Sequence, residues 1–201
     1  MYFLDFIAKG GLAFCHTPIV ASILILGLFT QKREIFIRTA YLLLFTMVYN
    51  VLLKSIWQNP LPPPLEGWAF PSGHMHSAMI FWGWLAIEFK KIWFSEIVFL
   101  ILTLVGYGLI QQGYHYPIDV FASIGFGAIS LMLYTFINRL SFFKGRTDRL
   151  GWLMLTLSGL IFVSMIPEAR KPHVIKAISI LSIFVISWTT VQFFSKQKKG
   201  S

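Results

Sequence analysis

Cysteine is nearly absent: the 201 residues hold one, Cys15. That excludes an internal disulfide framework and any metal site built from several thiolates. Charge is scarce too, at 12% of residues, where a typical soluble chain has about 25%. Acidic residues are the scarcer sign, with 8 Asp and Glu against 17 Lys and Arg. No internal repeat and no low-complexity tract is visible. What is abundant is apolar. Hydrophobic residues make up 56% of the chain, Phe occurs 20 times, and the mean hydropathy is +0.70. A soluble core of this size cannot house that surplus, so much of it faces something other than water. Disorder, a coiled coil and an ordinary soluble enzyme are excluded. The composition implies an all-α polytopic membrane helix bundle, a single membrane domain over 1–201.

The net charge of +9 would suggest a nucleic-acid partner on a soluble chain. Here the basic residues sit mostly at the ends of apolar runs, where membrane topology puts them, so the expected partner is the membrane and not nucleic acid. A membrane-crossing helix needs roughly 20 apolar residues. Seven runs qualify as candidates, at about 11–30, 35–56, 74–90, 92–112, 115–138, 151–167 and 175–194. The third and sixth are short, so six to seven transmembrane helices are expected. Residues 1–10 are too short to span and read as an interfacial helix, with Phe3, Phe6 and Ile7 toward lipid. Residues 195–201 read as a polar tail.

With seven spans, alternate connections fall on opposite sides. One side holds 12 of the 17 basic residues and the other holds 5, namely Lys9, Lys54, Arg170, Lys171 and Lys176. The richer side is expected to be cytoplasmic, with the C-terminus. The connections 57–73, 112–115 and 168–174 then lie outside, periplasmic if the membrane is a bacterial inner membrane.

Three polar features share that outer side. Pro71-Ser72-Gly73-His74 leads into a span; Pro71 and Gly73 suit a tight turn, and a helix beginning there aims free N–H groups at an anion. His115-Tyr116-Pro117-Ile118-Asp119 opens another span. Pro117 fits a first helical turn. His115 and Asp119 are i and i+4, so a carboxylate one turn along can fix the imidazole tautomer and raise its basicity. Lys54 lies near the outer end of the second span, where it can reach a phosphate. Two imidazoles, one carboxylate and one ammonium at one surface suffice for metal-free phosphoryl transfer, one imidazole attacking phosphorus and the other protonating the leaving alkoxide. Ser123-x-x-x-Gly127, with Ala122 and Gly125 nearby, reads as a close helix-packing face that would hold the His115–Asp119 pair. His16, His76 and His173 carry no motif neighbours and read as interfacial polar anchors.

At these residues the chain resembles the type-2 phosphatidic acid phosphatase superfamily. The family's three motifs are a lysine followed seven residues later by Arg-Pro, then Pro-Ser-Gly-His, then Ser-Arg followed by His-x-x-x-Asp. Pro71-Ser72-Gly73-His74 matches in full, as do His115 and Asp119; Lys54 and Pro62 match the first motif in part. The resemblance covers about 54–125. It implies that His115 is the nucleophile and forms a phosphohistidine, that Asp119 orients it, and that His74 is the general acid. Lys54, Ser72 and Gly73 would bind the substrate phosphate, with no metal or other cofactor.

Two of the three motifs depart from the family. Leu61 stands where the first motif has arginine, and Gly108-Leu109 where the third has Ser-Arg. Leucine cannot replace the paired, charge-assisted bonds of a guanidinium. Arg170 and Lys171, in the last outer connection, are the possible substitute cations; Gln111, Gln112 and Asn59 are further donors. The resemblance implies a lipid phosphatase or phosphotransferase acting on a phospholipid or polyprenyl phosphate. Two alternatives remain open. One is a lipid headgroup transferase, since sphingomyelin and inositol-phosphorylceramide synthases keep a similar Ser-Gly-His and His-Tyr-x-x-Asp pairing and a phosphodiester needs fewer cations. The other is a non-catalytic lipid-binding protein retaining the fold.

Overall fold

The computed structural model describes residues 2–167 and 170–200. The chain folds into helices α1 (Tyr2–Leu12), α2 (Thr17–Leu28), α3 (Arg33–Trp57), α4 (Gly73–Phe89), α5 (Ile92–Gln111), α6 (Pro117–Arg139), α7 (Thr147–Ser164) and α8 (Pro172–Gly200), with a 3-10 turn at Ala13–Cys15 between the first two. Among the described residues the only pairing of strand type is an isolated antiparallel bridge between Pro60 and Trp68. Of the expected polar tail, the backbone stays helical through Gly200, and Ser201 lies outside the described residues.

Local chemistry accounts for several helix ends. Ser72 caps α4, its Oγ accepting from the Met75 N–H. Pro117 opens α6 and Pro18 lies in the first turn of α2, where a missing N–H leaves nothing unpaired. The α3 helix stops at Gln58, which takes the left-handed conformation with φ 49°.

Packing is organised around α3 and α4. The α4 helix lies against α3, α5 and α6, and α3 also carries α7 and α8 on its other side. Ile80, Phe81 and Trp84 of α4 and Tyr41 of α3 are fully buried. At the far end from the motifs, Arg38 of α3 pairs with Glu34 and donates to Thr147 Oγ1 at the start of α7.

Four helices are long and apolar enough to cross a membrane: α3, α5, α6, and α8 over Pro172–Ser195. The stretch Phe3–Leu28, bent by 43° at its break, makes a fifth if the pair is one span. The protein is therefore an all-helical integral membrane protein, but length and composition do not reach the six to seven spans expected. The reasons are physical. With 17 residues, α4 is short, and its burial among three helices frees it from the need to face lipid. The α7 helix opens on Thr147-Asp148-Arg149, where Thr147 bonds Arg38 and Glu34 and Arg149 donates to the Phe142 carbonyl.

The N-terminal segment also departs from expectation. Residues 2–12 pack along α5 instead of lying apart as an interfacial helix, and the run 11–30 is broken at Ala13–His16. Phe3 and Phe6 do face outward. The close approach is made possible by two glycines. A Cβ on Gly11 would lie 2.6 Å from the Leu104 carbonyl oxygen, and one on Gly108 would lie 2.6 Å from that of Ala8. Asp5 accepts from Gln112 Nε2 at 2.6 Å, fixing the start of α1 at the C-terminal end of α5.

Candidate functional site

The two complete motifs meet through their backbones. Ser72 N donates to the Asp119 carbonyl at 3.1 Å. Ser123 Oγ, one turn further along α6, reaches the Asp119 carbonyl at 2.6 Å and the Ser72 carbonyl at 2.9 Å. One buried hydroxyl, its single proton shared between the two carbonyls, therefore joins the start of α4 to the start of α6. Gly127, four residues on, allows contact with α4, since a Cβ there would lie 2.5 Å from Met79 Cγ. Gly125 faces open space and takes no part. Ser123→Ala removes that hydroxyl while leaving each carbonyl one backbone donor. The expected cost is about 1 kcal/mol of stability, with phosphate release slowed severalfold, checked by thermal unfolding beside a turnover assay.

His115 sits on the connection between α5 and α6. The N–H groups of Tyr114 and His115 both bond the Leu109 carbonyl, which turns the chain back at the end of α5. His115 Nδ1 faces Asp119 Oδ2 at 3.5 Å, and the same Oδ2 accepts from Tyr116 N at 3.0 Å. Both side chains are buried, and His115 Nδ1 has no other partner. The carboxylate is thus held rigidly beside the imidazole, slightly longer than a formed hydrogen bond, as is common before substrate tightens a site. Burial pushes the His115 imidazole down to about 4, and the charges of Lys54 and His74 push the same way. His115 is therefore neutral at pH 7, the form a nucleophile needs.

The first motif reaches the same place from α3. Lys54 Nζ donates to the Trp68 carbonyl at 2.6 Å, in a loop closed by Ala69 N to Asn59 O and Leu61 N to Gly67 O. One turn earlier, buried Asn50 donates to the Pro71 carbonyl at 3.4 Å and lies 3.2 Å from His76 Nδ1. Its Oδ1 is 3.2 Å from where a Cβ on Gly73 would stand. Glycine at 73 lets the turn rest on that amide.

His74, in the first turn of α4, is exposed. His76 is not the outer anchor expected but is fully buried against Asn50 and Tyr49. Lys171 lies over the Trp68 ring, 5.9 Å from its centroid, on the residue whose carbonyl holds Lys54. Arg170 turns away: it donates to the Val163 carbonyl at 2.9 Å and covers Phe162. Gln112 is committed to Asp5. Asn50 escaped the sequence reading, although a lone amide four residues before Lys54 in an apolar span was a usable signal. Among the described residues no group of three His, Cys, Asp or Glu converges as metal ligands would.

With this geometry in view, comparison with known proteins is decisive. The PAP2 superfamily model matches residues 35–143, more than half of the chain. The protein belongs to the PAP2 superfamily. The matched stretch runs from α3 to just beyond α6 and contains every motif position described above. Among solved structures, the crystal structure of Aquifex aeolicus LpxE is similar, with a TM-score of 0.60 and 23% identity. The match covers 67% of this chain and 87% of that one, and the likeness is one of fold. No curated protein matches.

Within the PAP2 fold the two missing arginines have structural counterparts. Leu61 is half-buried in the loop that carries Trp68. Leu109 is 1% exposed in the main core, and Gly108 is the point where α1 presses on α5. Membership makes the protein, at the level of the superfamily, a membrane lipid phosphatase.

Proposed function

We propose that this PAP2 protein transfers or hydrolyses the phosphate of a phospholipid or polyprenyl phosphate by a metal-independent route through His115. The observation that carries the reading is the buried His115–Asp119 pair, tied by backbone to the Ser72-Gly73-His74 turn. His115 Nε2 attacks phosphorus as the bond to the leaving alkoxide breaks. Asp119 stabilises the imidazolium that develops, and His74 gives the alkoxide its proton. Water, deprotonated by the same His74, then attacks the phosphohistidine, and the P–N bond breaks to release phosphate and neutral His115. Lys54 and the N–H groups at the start of α4 hold the phosphate oxygens.

An apolar tail is supported by what borders the turn. Trp57, Phe70 and Phe126 form a cluster with ring centroids 5.2 to 6.4 Å apart, and Phe70 directly precedes Pro71. Trp57 and the neighbouring face of α6 at Ile118 are exposed, where lipid would lie. On the charge distribution along the sequence, the site opens on the outer, periplasmic face of a bacterial inner membrane. In this reading α4 and α7 complete a bundle of six spans or more.

The test is phosphate release by detergent-purified protein from a panel of lipid phosphates in the presence of a chelator. Release under those conditions is expected; none from any monoester rejects hydrolysis. A second reading, headgroup transfer on a phosphodiester, is favoured by the uncharged Leu61 and Leu109. It is tested with a diester donor and a lipid acceptor, and activity only in the presence of acceptor would favour it.

The depressed His115 imidazole gives a pH dependence. Activity follows the neutral form, so kcat/KM should fall as pH drops through about 4, below the ordinary 6.5 of an unperturbed histidine. Between about 4 and 6.5 the unfolded chain binds a proton that the folded protein does not. Stability therefore falls as pH is lowered across that window. An acid limb of kcat/KM at 6.5 or above that is not accounted for by ionisation of the substrate phosphate contradicts the assignment.

A further inference from the structure

His16 has no motif around it, but the break in the N-terminal span brings it to the site. It is the residue between the 3-10 turn Ala13–Cys15 and α2, in extended conformation, and its side chain is exposed. Its ring centroid lies 6.5 Å from that of His74, with the planes inclined by 65°. Contacts on both sides fix it there. Gly11 and Gly108 seat α1 on α5, and Trp82 Nε1 of α4 donates to the Phe14 carbonyl at 3.0 Å. Two exposed imidazoles edge to face gain little by packing on each other, so burial does not explain the contact. Their spacing suits an anion instead. Two ring nitrogens bonded to different oxygens of one phosphate, at about 2.8 Å each, stand roughly 5–6 Å apart.

The charges around this opening favour an anion. Lys54, His74 and His115 are mutual electrostatic neighbours. Lys171 lies beyond Trp68. The carboxylate on α1, Asp5, is paired with Lys9 at 2.8 Å and accepts a hydrogen bond from Gln112. Asp119 is turned inward to His115 and Tyr116 N.

We propose that His16 is a phosphate-binding residue of this site, donating a ring N–H to a non-reacting oxygen of the phosphate that His74 serves. The inference deepens the phosphoryl-transfer reading and rests on it for the identity of the anion. It gives the broken N-terminal span a function: the segment that packs against Gly108 also delivers a donor to a site whose two leucines supply none.

The test uses the full chain in detergent, with inorganic phosphate as the binding probe and a lipid phosphate as substrate. In His16→Ala and His16→Asn, the phosphate Kd and the KM should both rise about tenfold or more, with kcat within about twofold. The His16 side chain makes no cap bond to α2 and asparagine suits an N-cap, so a melting temperature that does not fall in that variant separates binding from folding. His16→Arg should restore the affinity. Phosphate affinity unchanged in His16→Asn, or no phosphate binding by the unmodified protein, overturns the proposal. Weakened phosphate binding in His16→Asn, together with no turnover of any lipid by the unmodified protein, upholds the proposal and rejects catalysis instead.

Discussion

His115→Ala should abolish phosphate release, and Asp119→Asn should slow kcat by about 10²–10⁴-fold with the protein still folded. The two losses differ in kind. In the proposed mechanism alanine at 115 removes the side chain that bonds phosphorus, so no covalent intermediate can form. Asparagine at 119 keeps the shape, and its amide oxygen can still accept from Tyr116 N, as the carboxylate does at 3.0 Å. What it cannot do is stabilise the imidazolium that develops as His115 attacks. The loss should therefore fall on kcat with KM little changed, because the interaction grows only toward the transition state.

His74→Ala separates the roles further. With an alkyl phosphate the leaving alkoxide needs a proton, and activity should fall as steeply as in Asp119→Asn. With an aryl phosphate the phenolate leaves unaided, so formation of the phosphohistidine should persist and its hydrolysis should become slow. The phosphorylated protein then accumulates and can be trapped by rapid quenching. Equal loss on both substrates would remove His74 from the acid role, and wild-type rates in His115→Ala would remove the mechanism altogether.

The parts of this arrangement legible in the sequence are those that depend on near neighbours. His115 and Asp119 share a helix face because of their spacing, and Ser72-Gly73 reads as a turn and cap from residue type alone. Helices α3, α5, α6 and α8 follow from long apolar runs. The parts that were not legible depend on distant contacts. Arg170 and Lys171 are adjacent in sequence and equal in charge, yet one turns to Val163 and Phe162 and the other to Trp68. No local rule distinguishes them. The span at 11–30 looked continuous because Pro18 is tolerated in a first turn as readily as it marks a break. Only the docking of residues 2–12 on α5 decides that the helix stops at Leu12. His16 stands beside His74, a residue distant in sequence, and no local rule shows that contact.

The same docking underlies the largest structural effect expected. Gly108→Val should destabilise the protein by about 1–3 kcal/mol and detach α1 from α5. A Cβ at 108 would stand 2.6 Å from the Ala8 carbonyl oxygen and 2.9 Å from Leu12 Cγ. The first of these is backbone and cannot rotate away, so the helices must separate. Within lipid no hydrophobic gain brings helices together, and close packing between small residues carries the association. Gly11→Val should act alike, since its Cβ would meet the Leu104 carbonyl oxygen at 2.6 Å. Once the helices have parted, the second substitution should cost less than it does alone, so the double variant falls short of the sum of the singles. The break at Ala13–His16 would lose its anchor, carrying His16 away from His74 and weakening phosphate binding although no site residue has changed. Thermal unfolding and phosphate titration on the three variants measure both effects. A Gly108→Val protein with unaltered melting temperature and unaltered phosphate affinity would mean that α1 neither packs on α5 as described nor contributes to the site.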